Sequence, residues 1–220
     1  MPGSANRTGE AMRPPTELLR FTRSERWVHR TTAADMGICL ATAAILYIGP
    51  LSTAIGYRAI VEWIHVIAGL CLPVPLVIGL LSKAFRIDLG RLNRFSSSDW
   101  KWLRSRDRRA GRIPVGKFNA GQKLNANFQL GAILVMMLTG SVMRFANHWP
   151  IAWRTGATFV HDWAAYAILA VVLGHIYMAV RDPYALGGMR TGYVPTSWAN
   201  REHNAWAAAA QVDEAHTRAR

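Results

Sequence analysis

The sequence predicts an all-α integral membrane protein, a four-helix bundle with both termini cytoplasmic, and three observations carry that expectation. First, a mean hydropathy of +0.08 over 220 residues is an average over segregated blocks. Four windows carry no charge at all: 36–57, 63–82, 124–143 and 163–180. Each is about the 17–25 residues that an α-helix needs to cross a hydrocarbon core. Second, the charge alternates between connections: 23 of the 26 Lys and Arg fall in 1–30, 83–123 and 181–220, and only Arg58, Arg144 and Arg154 lie elsewhere. That is the positive-inside pattern of four spans with both termini in the cytoplasm. Third, four of the seven histidines stand at or near span ends.

Several classes are excluded by the same facts. A net charge of +13 suggests nucleic acid, but membrane topology already accounts for it, so no nucleic-acid partner is expected. Cys39 and Cys71 both lie inside apolar windows, too few for a disulfide framework and not in a CxxC pair; they read as small hydrophobes. No CxxCH sequence is present for covalent haem attachment, and no removable signal peptide is expected.

In chain order, residues 1–16 read as a disordered, Pro/Arg-rich arm, 17–206 as the four-span domain, and 207–220 as a polar tail. Within the domain, an amphipathic lead (18–30) enters a span over about 31–55. The second span covers about 60–83, where Pro73 and Pro75 should kink the helix or free carbonyls. An inner loop with Trp100, Trp102 and an arginine cluster reads as a lipid-headgroup or partner surface. The third span covers about 122–145. Trp149 and Trp153 then occupy the place of an outer aromatic belt, and the fourth span runs over about 157–181.

Polar groups at membrane depth are costly, so they are the functional candidates. The alternating course of the chain places His29 and His175 toward the inside and His65 and His161 toward the outside. His161 and His175 are 14 residues apart, about 40° short of four full turns and about 21 Å along the axis, so both face the same way. Two same-face imidazoles, each opposed by a histidine of matching depth, are what two stacked bis-histidine haems b require, whereas a single histidine at a span end reads as an interfacial hydrogen-bonding group. Small residues beside them, Ala33, Ala34, Ala68, Gly69, Ala164, Ala165 and Gly174, permit close approach of a porphyrin. His148, His203 and His216 are expected to be solvated, Met136, Met137 and Met143 to pack, and Asp35 to be hydrogen-bonded or to carry protons. Arg144 and Arg154 are expected to snorkel or to pair with haem propionates. The segment KFNAGQK (117–123) offers the amides of Asn119 and Gln122 beside Gly121 at the inner depth. It reads equally as a quinone-binding contact, donating to carbonyl oxygens, or as a helix N-cap with a basic anchor.

KFNAGQK, the entry RFTRSERWVHR (20–30), the spacing from His161 to His175 and the exit GGMRTGYVPTSWANREH together resemble the cytochrome b (gamma) subunit of membrane-bound formate dehydrogenase. The resemblance covers about residues 18–206, with Arg30 standing where that family often has an aromatic residue. It implies a di-haem subunit partnered by an iron–sulfur (beta) subunit and a molybdenum- or tungsten-containing catalytic (alpha) subunit, with menaquinone or ubiquinone as acceptor. It implies His29, His65, His161 and His175 as axial ligands, and Asn119, Gly121, Gln122 and His175 at the quinone. Two alternatives stay open from the residues: the cytochrome b of another respiratory dehydrogenase, such as a hydrogenase or thiosulfate reductase, and a non-redox membrane scaffold or transporter.

Overall fold

In the computed structural model, residues 16–108 and 110–218 are described, so the expected disordered arm lies outside the described residues except for Thr16. The described chain is mostly helical. A short strand β1 (Glu17–Leu19) pairs antiparallel with β2 (Tyr193–Pro195), Leu18 opposite Val194, which the sequence reading did not anticipate. The expected amphipathic lead therefore starts as extended chain and becomes helical only at Arg23, where Thr22 and Glu25 form a capping box.

Helix α1 (Arg23–Tyr47) stops short of the expected end at residue 55. The chain turns by 100° into a short helix α2 (Gly49–Ile55), with Pro50 in its first turn. Proline has no N–H and its ring clashes with the carbonyl four residues back, here that of Leu46. That oxygen instead accepts from Arg58 Nη1 at 2.9 Å. Gly56 (φ 66°) and Tyr57 (φ 50°) then reverse the chain in the left-handed region.

The second span consists of α3 (Arg58–Cys71) and α4 (Val74–Gly79), interrupted at Pro73 as the sequence suggested, and together they are long and apolar enough to cross a membrane. Two capped helices follow on the basic side, α5 (Lys83–Leu92) and α6 (Ser97–Arg104). The remaining spans are α7 (Ala120–Arg144) and α8 (Ile151–Val180), the latter starting six residues before the expected 157. After α8 come α9 (Pro183–Thr191), β2, α10 (Thr196–Glu202) and α11 (Asn204–Arg218).

Two apolar cores result. Among the described residues, three segments are long and apolar enough to cross a membrane, with α1 and its bent continuation α2 as a fourth if they count as one span; Met36 of α1, Leu72 after α3, Ile133 of α7 and Ile168 of α8 meet at the centre of the bundle, with Met136 and Met137 packed around them. In the basic-side cap, Leu18 and Val194 of the ribbon bury against Trp198, Ala199 and Ala207. The boundary expected at 206/207 thus falls inside α11, and Ala207 is fully buried rather than part of a polar tail. Gly192 makes the cap possible: it ends α9 at φ 101°, and a Cβ there would lie 2.6 Å from the Phe21 carbonyl oxygen.

Candidate functional site

Helix α1 packs on α3, α7 packs on α8, and α3 meets α7, so the spans form two hairpins side by side. The histidines bridge them at two levels. His29 of α1 faces His175 of α8 with ring centroids 6.1 Å apart, and His65 of α3 faces His161 of α8 at 6.3 Å. These are the two pairs predicted from depth.

The separations fit an iron between each pair. With metal–imidazole bonds of about 2 Å and about 1.1 Å from nitrogen to ring centre, two axial imidazoles have centroids about 6.2 Å apart. The hydrogen bonds of the outer pair fit as well. The Thr42 hydroxyl lies 2.7 Å from the Ile38 carbonyl oxygen and 2.9 Å from His65 Nδ1. It has one hydrogen, and donating it to the carbonyl leaves it to accept from Nδ1–H. Thr139 repeats the arrangement, 2.8 Å from the Val135 oxygen and 2.9 Å from His161 Nδ1. Both rings are thereby set as the Nδ1–H form, with the Nε2 lone pair available to a metal. A methyl group added at Gly69 or Gly174 would meet no heavy atom within 4 Å, so the backbone beside the rings borders open space.

The central cluster stands between the two levels. Met36, Leu72 and Ile168 each follow a histidine (His29, His65, His161) by seven residues, and Ile168 also precedes His175 by seven. Seven residues are close to two turns, so the same helix faces carry histidine, apolar plug and, on α8, histidine again.

At the basic end, the KFNAGQK segment is drawn into the scaffold. Asn119 caps α7: its Oδ1 accepts from Gln122 N–H and Gln122 Oε1 accepts from Asn119 N–H, both at 3.0 Å. The capping box uses the two amide oxygens and does not draw on either NH2 group. Gly121 has a packing reason, because a Cβ there would be 3.4 Å from the Trp102 indole. The lysines are committed to ion pairs rather than acting as free anchors. Buried Lys117 pairs with Glu25 at 2.8 Å and with Asp88, and Lys123 pairs with Asp99 at 2.7 Å, which holds the Asp99 carboxyl below the usual carboxylate range.

His203 is not solvated: it is 2% exposed, its Nδ1 donates to the Gly116 oxygen at 2.7 Å and its Nε2 accepts from Arg20 at 2.9 Å. Burial, with the Arg20 charge beside it, pushes its pKa down to about 3. Arg30 donates to the carbonyls of Met189 and Arg190, tying α1 to α9, which accounts for a basic residue directly after His29. Arg144 lies over the Trp63 ring at 4.7 Å, and Trp149 stacks on Trp153 at 5.5 Å. His148 and His216 are exposed.

Sequence reasoning missed Thr42, Thr139 and the Glu25–Asp88–Lys117 cluster. A threonine in a span bonds its own helix by default, so nothing in the local sequence marks the two that also hold a histidine. The seven-residue step from histidine to plug was a legible signal.

A family model described as prokaryotic cytochrome b561 matches residues 20–192. The chain belongs to that family. Membership implies haem b, and with the apolar spans it makes the chain a prokaryotic membrane protein. The chain is similar to the cytochrome b556(Fdn) subunit of the nitrate-inducible formate dehydrogenase of Escherichia coli strain K12, 32% identical over 95 residues. That stretch is 42% of this chain and 44% of the relative. The formate dehydrogenase cytochrome b556(fdo) subunit of the same strain is 27% identical over 95 residues, 42% of this chain and 45% of the relative. The chain thus spans less than half the length of either relative.

Proposed function

We propose that the chain is the di-haem cytochrome b subunit of a formate dehydrogenase complex, accepting electrons from an iron–sulfur subunit and passing them across a bacterial inner membrane to a quinone. The catalytic partner would be the molybdenum- or tungsten-containing subunit, and both termini of this chain would be cytoplasmic. The observation that carries the reading is the pair of facing histidines at two levels, spaced for an iron in each. The likeness to formate dehydrogenase cytochromes supports the choice of complex.

His65 and His161 would hold the outer haem, and His29 and His175 the inner one. Bound haem b supplies one-electron transfer at each level. The protein's own part is positional. Thr42 and Thr139 fix the tautomer and tilt of the outer ligands, and the central plug of Met36, Leu72, Ile133 and Ile168 keeps water and protons out of the space between levels. At the inner level, Asn119 and Gln122 present amide donors to the quinone carbonyl oxygens, with Gly121 and His175 bordering the same place. Drawing protons from inside while electrons arrive from outside makes the transfer charge-separating.

The test uses the purified complex. Formate, and not hydrogen, should reduce two b-type haems; His65→Ala and His175→Ala should each remove one, and His175→Ala should also abolish quinone reduction. A His175→Ala protein that kept two haems in a redox titration would overturn the inner assignment. Reduction by hydrogen instead of formate would assign the chain to another dehydrogenase, and no b-type band at all would leave a non-redox membrane protein.

A further inference from the structure

The inner end of the bundle contains a buried pair of carboxylates to which the proposed function gives no role. Glu25 lies four residues before His29, one turn toward the basic end on the same side of α1. Its carboxylate is within side-chain hydrogen-bond reach of Asp88 of α5, and Lys117, two residues before Asn119, bonds to both. The cluster is therefore tied through the chain both to the inner histidine of α1, four residues from Glu25, and to the amide cap of α7, two residues from Lys117. Glu25 and Asp88 are 7% and 4% exposed and Lys117 8%.

The surroundings are charged on every side. Arg91, on the same helix as Asp88 and half exposed, reaches Asp88 Oδ1 at 3.0 Å and links the buried pair to a surface guanidinium. Arg20, at the end of β1, is 2% exposed and acts on Asp88 electrostatically. Its Nη2 is taken by the Lys117 carbonyl and His203, while its Nε and Nη1 are buried with no hydrogen-bond partner. From α7, Lys123 is committed to Asp99 and the Arg94 carbonyl. Glu25 spends its second oxygen on the N–H and hydroxyl of Thr22, both at 2.6 Å. Asp88 is bonded at Oδ1 by Arg91 and at Oδ2 by Lys117, so it is the member of the pair whose partner reaches the surface.

We propose that the Glu25–Asp88 pair, bridged by Lys117, is the proton-holding site that feeds quinone reduction at the inner end of the bundle. The inference rests on the quinone reading above. Reduction of a quinone takes two electrons and two protons; the electrons come from the partner's reduced iron–sulfur centres by way of bound haem. The pair supplies a proton: the O–H bond of Asp88 breaks, its proton is relayed through water to the quinone oxygen, where an O–H bond forms, and Asp88 is reprotonated from bulk water. Within the pair Glu25 stays ionised, and burial beside that charge lets Asp88 retain a proton where a lone surface carboxylate would not, with Lys117 between them opposing the shift. Burial, with Glu25 alongside, raises the Asp88 carboxyl to about 6, within reach of cytoplasmic pH.

Two measurements on the whole complex test this. Infrared spectra across pH 5–8 should contain a carboxylic-acid band that titrates near pH 6 in the wild type, is absent in Asp88→Asn and returns in Asp88→Glu. Haems reduced with dithionite and mixed with menadione should reoxidise about tenfold or more slowly in Asp88→Asn, with the pH dependence flattened and with Asp88→Glu restoring it. Loss of a directly touching general acid costs more, about 10²–10⁴. Asp88→Asn must keep the wild-type reduced haem spectrum, which shows that the bundle is intact; if it does not assemble, the wild-type band and the Asp88→Glu rates decide. A wild type without the band, or an Asp88→Asn protein with the wild-type rate and pH profile, overturns the proposal. Wild-type haems that menadione never reoxidises would instead overturn the quinone reading, and the infrared band would still decide the proton site.

Discussion

Thr42 and Thr139 show how much a single hydroxyl can determine. Each sits on a helix that contributes no histidine at its level, and each accepts from the Nδ1–H of a histidine on the neighbouring helix. An accepted hydrogen bond makes the imidazole a stronger donor, which favours oxidised iron. Thr42→Val or Thr139→Val is expected to raise the midpoint potential of one haem by about 20–60 mV, the equivalent of a net hydrogen bond of about 0.5–1.5 kcal/mol, and to leave the other unmoved. Redox titration of both signals checks it; equal movement of both haems would deny the threonines a level-specific role.

His203 makes the complementary point about charge. Its folded-state pKa, about 3, lies below the ordinary 6.5, so the neutral ring stabilises the cap fully above pH 6.5 and that contribution is lost as pH falls toward 3. At about 1.4 kcal/mol per unit the whole shift is worth on the order of 5 kcal/mol. Amide exchange in β1 and β2 should accelerate as pH falls through this window, after correction for the intrinsic rate, and His203→Gln should flatten the dependence.

Among the elements, helix ends decide more than helix interiors. Capping boxes start α1, α6 and α7, and in α7 the box is built from two residues that composition alone could assign equally to a quinone. Pro50 ends α1 within a continuous apolar window, which is why the first span reads too long in sequence: hydropathy measures length and not direction. The ribbon of β1 and β2 depends on Gly192. Gly192→Ala should destabilise the cap by about 1–3 kcal/mol, because its Cβ meets backbone rather than a movable side chain at a left-handed φ. Limited proteolysis should then cut around residues 16–22 sooner, with the haem spectrum retained.

For the molecule as a whole, charge sets orientation and the apolar plug separates the two ends. With 23 basic residues in the segments that the sequence assigns to the inside and three in the others, a reporter active only outside the cytoplasm should be silent when fused after Arg220 and active when inserted at Gly56 if the proposed orientation holds. The opposite result would invert the proposed direction of proton uptake. Ile168→Ala should cost about 2–5 kcal/mol, as for other buried aliphatic truncations, read as a lower thermal midpoint in detergent.

The sequence by itself determined the spans, the sidedness signal, the two histidine levels and the common face of His161 and His175, because each follows from composition or from a 3.6-residue period along one segment. It also contained the resemblance and, unread, the seven-residue step to the plug. The tertiary structure alone decided the rest. Glu25 and Lys117 are 92 residues apart, Arg20 and His203 are 183 apart, and Thr42 and Thr139 meet histidines on other helices. No local period relates such pairs; they meet only because two hairpins and a two-stranded ribbon fold the chain back on itself, and there burial brings ordinary polar residues together as histidine supports, a latch and the pair proposed to hold a proton.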